Sequence, residues 1–256
     1  MAPATKRSAP QMRSTVRAEQ RHGRGILVAA LTLAPLLFIA LGIWQIERRG
    51  EKLALIAAVN ARVSAAPTPA PGPDEWPGIS AADAAYRHIV AHGTFENDRE
   101  TLVQAVTDLG AGYWVLTPLR TEQGWTVLVN RGFVAPERQA RAVRKAGEPR
   151  GSVAITGLLR ITEPKGAFLR TNDPVAGRWY SRDVAAIGKA KGLVELAPYF
   201  IDAAATPEGD GQPVGGLTVV RFYNHHLEYA LTWFALAALS IVGLFLVRWA
   251  ERLEAA

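Results

Sequence analysis

Two histidines and a glutamate, His225, His226 and Glu228, stand at the start of the apolar run in "RFYNHHLEYALTWFALAALSIVGLFLV" (Arg221–Val247). On a helix beginning at Asn224, a good N-cap residue, His226, Tyr229, Ala230, Trp233 and Ala237 share one face by i, i+3, i+4 spacing. His225 points elsewhere, toward Tyr229 and Thr232. The positive end of a helix dipole disfavours a protonated imidazole. Neutral imidazole is the form that ligates a metal, haem iron included. The residues alone leave two readings open, a ligand or a pair of polar anchors at an interface.

Other candidates carry less. His88, His92 and Glu96 are spaced i, i+4, i+8, which would align three ligands on a helix. Their neighbours Tyr86, Ile89, Val90, Thr94 and Phe95 favour a strand, where residues four apart are roughly 13 Å apart. Two such histidines cannot share an ion bound at about 2 Å. "VNRGFV" reads as a strand end whose Asn130 and Gly132 shape a turn beside Arg131. "TNDPVAGRWYSRD" (171–183) gathers Asp173, Arg178, Trp179, Tyr180 and Arg182, either as an anion site or as a loop with an internal Asp–Arg pair. The hydrolase, P-loop and zincin signatures are missing, so a membrane-anchored hydrolase has no catalytic constellation to rest on. With no cysteine there are no thiolate metal sites, disulfides or cysteine nucleophiles.

The elements that must position the histidines are membrane spans. "ILVAALTLAPLLFIALGIW" (Ile26–Trp44) is uncharged. A helix of that length rises about 28 Å, against a hydrocarbon core of roughly 30 Å. Tyr229–Val247 is a second run of equal length, with Trp233 near its start and Trp249 just past its end, as in interfacial aromatic belts. Gly42-Ile43-Trp44 is no small-residue cleavage site, so the first run is expected to stay as an anchor and not be cut as a signal peptide. Of the net charge of +6, residues 1–24 carry +5, while 45–228 hold 21 basic and 20 acidic side chains. A nucleic-acid-binding domain would carry its excess on a folded surface, so no nucleic acid is expected. The positive-inside rule puts both chain ends in the cytoplasm, or in the matrix if the Arg-rich start is a mitochondrial transit peptide.

The expected organisation is a basic tail (1–24), a first transmembrane helix (25–45), a helical extension (46–64), a Pro-rich extended linker (65–78), an exported α+β domain (79–222), a second transmembrane helix with its approach (224–247), and a short tail (248–256). Within the domain, strands are expected at 86–95, 101–106, 112–120, 125–134, 152–160 and 197–203, with a hairpin at Thr121–Gly124 and one helix near 181–190. Thr206–Gly216 reads as a loop. The fold class is thus an α+β membrane protein, two transmembrane helices flanking a mainly antiparallel β domain or small barrel with few helices.

"LGIWQIERRGEKLALI" (Leu41–Ile56) and "HLEYALTWFALA" (His226–Ala237) bracket "GYWVLTP" and "LVNRGFV". In that order, these residues resemble the surfeit-locus-one family of cytochrome c oxidase assembly factors. The matching positions are Leu41, Gly42, Trp44, Gln45, Arg49 and Lys52, then Gly112, Thr117, Pro118, Asn130, Arg131 and Gly132, then Asn224, His226, Leu227, Tyr229, Thr232 and Trp233. Ala135 departs from a frequent family proline, with Pro136 one position later. The resemblance implies a non-enzymatic chaperone in biogenesis of the respiratory chain. It would help deliver haem a to, or insert it into, subunit I of a haem–copper oxidase, with haem a synthase as a further partner and the lipid bilayer as its setting. The implied location is the bacterial inner membrane with a periplasmic domain, or the mitochondrial inner membrane. His226 becomes the expected axial ligand to haem iron, with Trp44, Tyr229 and Trp233 as the other cofactor-binding residues. The rival expectation is a tethered scaffold that holds subunit I without touching haem.

Overall fold

The computed structural model describes residues 9–167, 169–205, 213–218 and 222–255. Their regular elements are helices α1 (Ala9–Ser64), α2 (Ala81–Ala84), α3 (Val184–Lys191) and α4 (His226–Ala255), and strands β1 (Thr68–Pro69), β2 (His88–Phe95), β3 (Thr101–Thr107), β4 (Gly110–Thr121), β5 (Thr126–Val134), β6 (Ser152–Ile161) and β7 (Leu196–Ala203). They divide into two compact units, residues 1–56 with 222–256, and residues 57–221.

The first unit is α1 as far as residue 56 paired with α4, both helices long and apolar enough to cross a membrane. The expected first span and its helical extension are one helix, unbroken through Pro35. Residues 9–24 of the expected basic tail are helical too, and residues 1–8 lie outside the described residues. Likewise α4 runs on through the expected C-terminal tail to Ala255. Nothing stops either helix, because neither "RRGEKLALIAAV" nor "RWAERLEA" contains a proline.

The two helices meet along a seam of period 3.5. On α1 the covered positions Leu31, Pro35, Phe38, Gly42, Gln45, Arg49 and Lys52 follow alternating steps of four and three. On α4 His226, Ala230, Trp233, Ala237, Ser240, Leu244 and Val247 do the same. That is the heptad pattern of a left-handed pair. Contacts run antiparallel: Gln45 to His226, Phe38 stacked on Trp233 with ring centroids 5.7 Å apart, and Leu31 toward Gly243. Between the large pairs fall the small buried residues Gly42, Ala230, Pro35 and Ala237. In lipid, such small residues let backbones approach and bring in dispersion contacts.

The second unit is a barrel. Strands pair in the order β1-β2-β6-β7-β5-β4-β3, and β2 also pairs with β4, closing β2, β6, β7, β5 and β4 into a ring. Pairings are antiparallel except β1–β2 and β5–β7, so the expectation of a mainly antiparallel domain is met. Inside lie Ile89, Phe95, Leu119, Val127, Leu159, Tyr199 and Ile201. Outside, α3 covers a second cluster of Val103, Leu116, Leu128, Trp179, Ile187 and Phe200. With apolar packing on both faces, every residue of β5 is buried. The hairpin at Thr121–Gly124 is present, Gly124 taking φ +93°. Helix α3 starts at Val184, later than expected, because Asp183 caps it by accepting from Ala186 N at 3.1 Å.

Two expectations are corrected. The proline-rich stretch 65–78 is not a free linker. It adds β1 beside β2 and a 3₁₀ turn at Trp76–Gly78, and its Pro71 carbonyl accepts from Tyr199 Oη (2.8 Å) and Trp76 Nε1 (3.0 Å). Proline lacks a donor but keeps its carbonyl, and buried hydroxyl and indole groups use it. Nor is "VNRGFV" a strand end. Asn130–Gly132 lie mid-strand, and Phe133 exchanges two 2.9 Å backbone bonds with Val214. Residues 206–212 of the expected loop lie outside the described residues.

Candidate functional site

The site worth testing is the polar end of the helix pair. Helix α4 begins at His226, and its first turn is closed by Tyr229 N donating to the His225 carbonyl at 3.2 Å. Asn224 is therefore not the cap that the sequence predicts; its Oδ1 is buried without a hydrogen bond among the described residues. His226 Nδ1 lies 2.7 Å from Oε1 of Gln45, joining the two helices. His225 is exposed and lies 3.2 Å from Glu228 on its own helix, with its ring stacked near Tyr223. The two histidines therefore separate: His226 crosses the seam, and His225 serves its own turn.

Of the other expected residues, Trp233 shares the seam, stacked on Phe38, and its Nε1 is buried without a hydrogen-bond partner among the described residues. Trp44 and Tyr229 are exposed, 50% and 57%, and do not line the seam. By heptad position both lie on the flank where Leu31 meets Gly243, opposite the flank where Phe234 covers Gly42. Gln45, the hydrogen-bond partner, has no role predicted for it from the residues. Its signal is the 4-3 spacing from Leu31 to Lys52, which puts it on the seam at the height of His226.

A haem group needs a neutral imidazole nitrogen, an apolar surface and cations for its propionates. His226 Nε2 makes no hydrogen bond among the described residues. Arg49 and Lys52 follow Gln45 along the seam face of α1, Lys52 Nζ lying 5.1 Å from the Phe222 ring. These residues fit such a group on the flank that carries Trp44 and Tyr229. Between the helices the stack of Phe38 on Trp233 leaves the seam closed.

The barrel offers less. The arginines of the 171–183 loop already have carboxylate partners, Arg178 within the loop (Asp173, 2.8 Å) and Arg182 outside it (Glu163 and Asp202, 2.6 and 3.2 Å). Burial pulls the Arg182 guanidinium down, and the carboxylates of Asp202 and Glu163 more than reverse it, so its pKa is raised. Buried Asp202 also accepts from Arg160 (2.6 Å), Asn130 (2.8 Å) and Thr218 (2.9 Å). Arg131 lies over the Phe95 ring and donates to the Gly147 carbonyl; burial lowers its pKa. His88 and His92 do lie on a strand, with His88 Nδ1 2.8 Å from the Ala65 carbonyl and His92 exposed. Among the described residues, no three histidine or carboxylate side chains converge as a metal site.

Comparison with known proteins covers both helices and the barrel. The chain is 35% identical over 226 residues to surfeit locus protein 1 of Homo sapiens, spanning 81% of this chain and 73% of that protein. It is 36% identical over 246 residues to a SURF1-like protein of Monosiga brevicollis, spanning 89% of each, and 32% identical over 227 residues to one of Drosophila melanogaster. The SURF1 family profile matches residues 33–238, from the seam of α1 through the barrel to the seam of α4, and the chain belongs to that family.

Proposed function

We propose that this protein is a non-enzymatic assembly factor for a haem–copper, cytochrome c type oxidase, held in the bacterial plasma membrane by α1 and α4. The barrel faces the periplasm and the basic start of the chain the cytoplasm, in keeping with the positive-inside rule. The observation that carries the reading is the family match across residues 33–238. His226 would hold the iron of haem a on its way to subunit I, with haem a synthase as the donor. When bound, haem a would supply an iron centre that an imidazole nitrogen can ligate. The protein's own part is to present that imidazole at the helix start, offer Trp44 and Tyr229 as apolar surface, and place Arg49 and Lys52 nearby as counter-charges. The test is to purify wild type and His226→Ala from cells making haem a, and to measure bound haem and oxidase restored in a deletion strain. Loss of both in the variant supports the ligand; equal haem content in both proteins removes it.

The scaffold reading, in which the protein clamps subunit I and never binds haem, is favoured by the closed contact of Phe38 on Trp233. A colourless wild-type protein that still co-purifies with subunit I would select it.

A further inference from the structure

The Gln45–His226 bond determines more than helix pairing. An amide oxygen can only accept, so the 2.7 Å approach of His226 Nδ1 to Gln45 Oε1 is a hydrogen bond in the Nδ1–H tautomer. A neutral imidazole has one N–H, so Nε2 is left with its lone pair. Nε2 makes no hydrogen bond among the described residues. We infer that Gln45 is a positioning residue that locks His226 in the Nδ1–H tautomer and holds Nε2 ready as the nitrogen donor of the site.

Three further features of the helix pair support this. The bond links d-type positions of two different helices, so neither side chain can follow the other by local rearrangement. One heptad step deeper, Gly42 and Ala230 are buried and Phe38 stacks on Trp233, fixing the height at which Gln45 meets His226. His225, adjacent in sequence, is held by Glu228 on its own helix and does not compete for the amide. An acceptor on Nδ1–H fixes ring orientation and raises the basicity of the other nitrogen, and its loss commonly weakens metal ligation by about 10–100-fold.

The inference deepens the proposed role of His226, but its first test needs no haem. Nitrogen NMR of histidine-labelled full-length protein in lipid nanodiscs reads the tautomer directly. Wild type is expected to show His226 protonated at Nδ1. Gln45→Leu should give a mixture or the Nε2–H form, and Gln45→Glu, whose carboxylate also accepts, should restore Nδ1–H. An Nε2–H signal in wild type, with the amide donating instead, overturns the inference. So does an unchanged tautomer in a Gln45→Leu protein that keeps wild-type helicity and melting. The second test is titration with hemin: affinity should fall about 10–100-fold in Gln45→Leu and recover in Gln45→Glu. If wild type has the Nδ1–H tautomer but binds no hemin at His226, the ligand reading fails while the positioning by Gln45 stands.

Discussion

Gly42 of α1 lies against the ring of Phe234 of α4, with three ring carbons 2.5–2.9 Å from where a β-carbon would stand. The contact sets how close the helices come. Gly42→Val should destabilise the pair by about 1–3 kcal/mol, the usual range for overpacking. Because the obstacle is a ring at the end of a side chain, Gly42→Val combined with Phe234→Ala should recover much of the loss. Melting midpoints of the four proteins in detergent form the double-mutant cycle; a double variant no better than Gly42→Val would show that the backbone, not the ring, is the limit.

Gly132 has φ +132°, and a β-carbon there would meet the Val214 carbonyl. Unlike Gly42, it faces backbone, which cannot swing away. Gly132→Ala is expected to cost the barrel about 1–3 kcal/mol or more. Denaturant unfolding should show this as a lower midpoint with an unchanged slope.

Asp202 is buried and neutralises Arg160 and Arg182. Removing one partner of such a group leaves charge uncompensated, so Asp202→Ala should cost about 3–5 kcal/mol. Expression is expected to collapse. Arg178→Ala, which breaks only an exposed pair with Asp173, should be near neutral.

The Glu148 carboxyl is hydrogen-bonded to Arg141 and titrates below its ordinary range. A depressed folded-state value means stability that is present above the unfolded value, about 4.3, and lost as pH falls through the folded one. Glu148→Gln should therefore be less stable than wild type at neutral pH, with the gap closing below about pH 4. Melts from pH 7 to 3 would show it; a constant gap would mean the pair acts through shape and not charge.

Tyr199→Phe removes the buried hydroxyl that donates to the Pro71 carbonyl. A cost of about 1 kcal/mol is expected. Limited proteolysis within 65–78 should quicken, because that segment is held to the barrel through the same carbonyl.

Much of this fold was legible. Runs such as "TVLVNRGFV" and "SVAITGLLR" carry the β-branched residues of strands, and a polar cluster or a glycine turn marks their ends. The proline-rich segment misled because proline content reports the missing donors, while its docking depends on carbonyls that side chains 128 residues away can use. Asn130 and Arg131 misled for a related reason. Polar residues in a sequence look like an edge, and only the distant partners Asp202 and Gly147 show them to be interior. His226 was legible through helix spacing and family resemblance. Gln45 was legible as a family position and by its 4-3 spacing, but its partner was not, since the hydrogen bond spans 181 positions.

The last strand made, β7, sits in the middle of the sheet between β6 and β5. The chain therefore cannot complete its barrel until residue 203 has been synthesised and, in the proposed topology, has crossed the bilayer. Until then β5, the strand buried on both faces, presents an open edge. The order of synthesis thus favours export as an unfolded chain. A ribosome stalled before Leu196 would leave an aggregation-prone intermediate tethered by its first helix, a substrate for quality-control proteases.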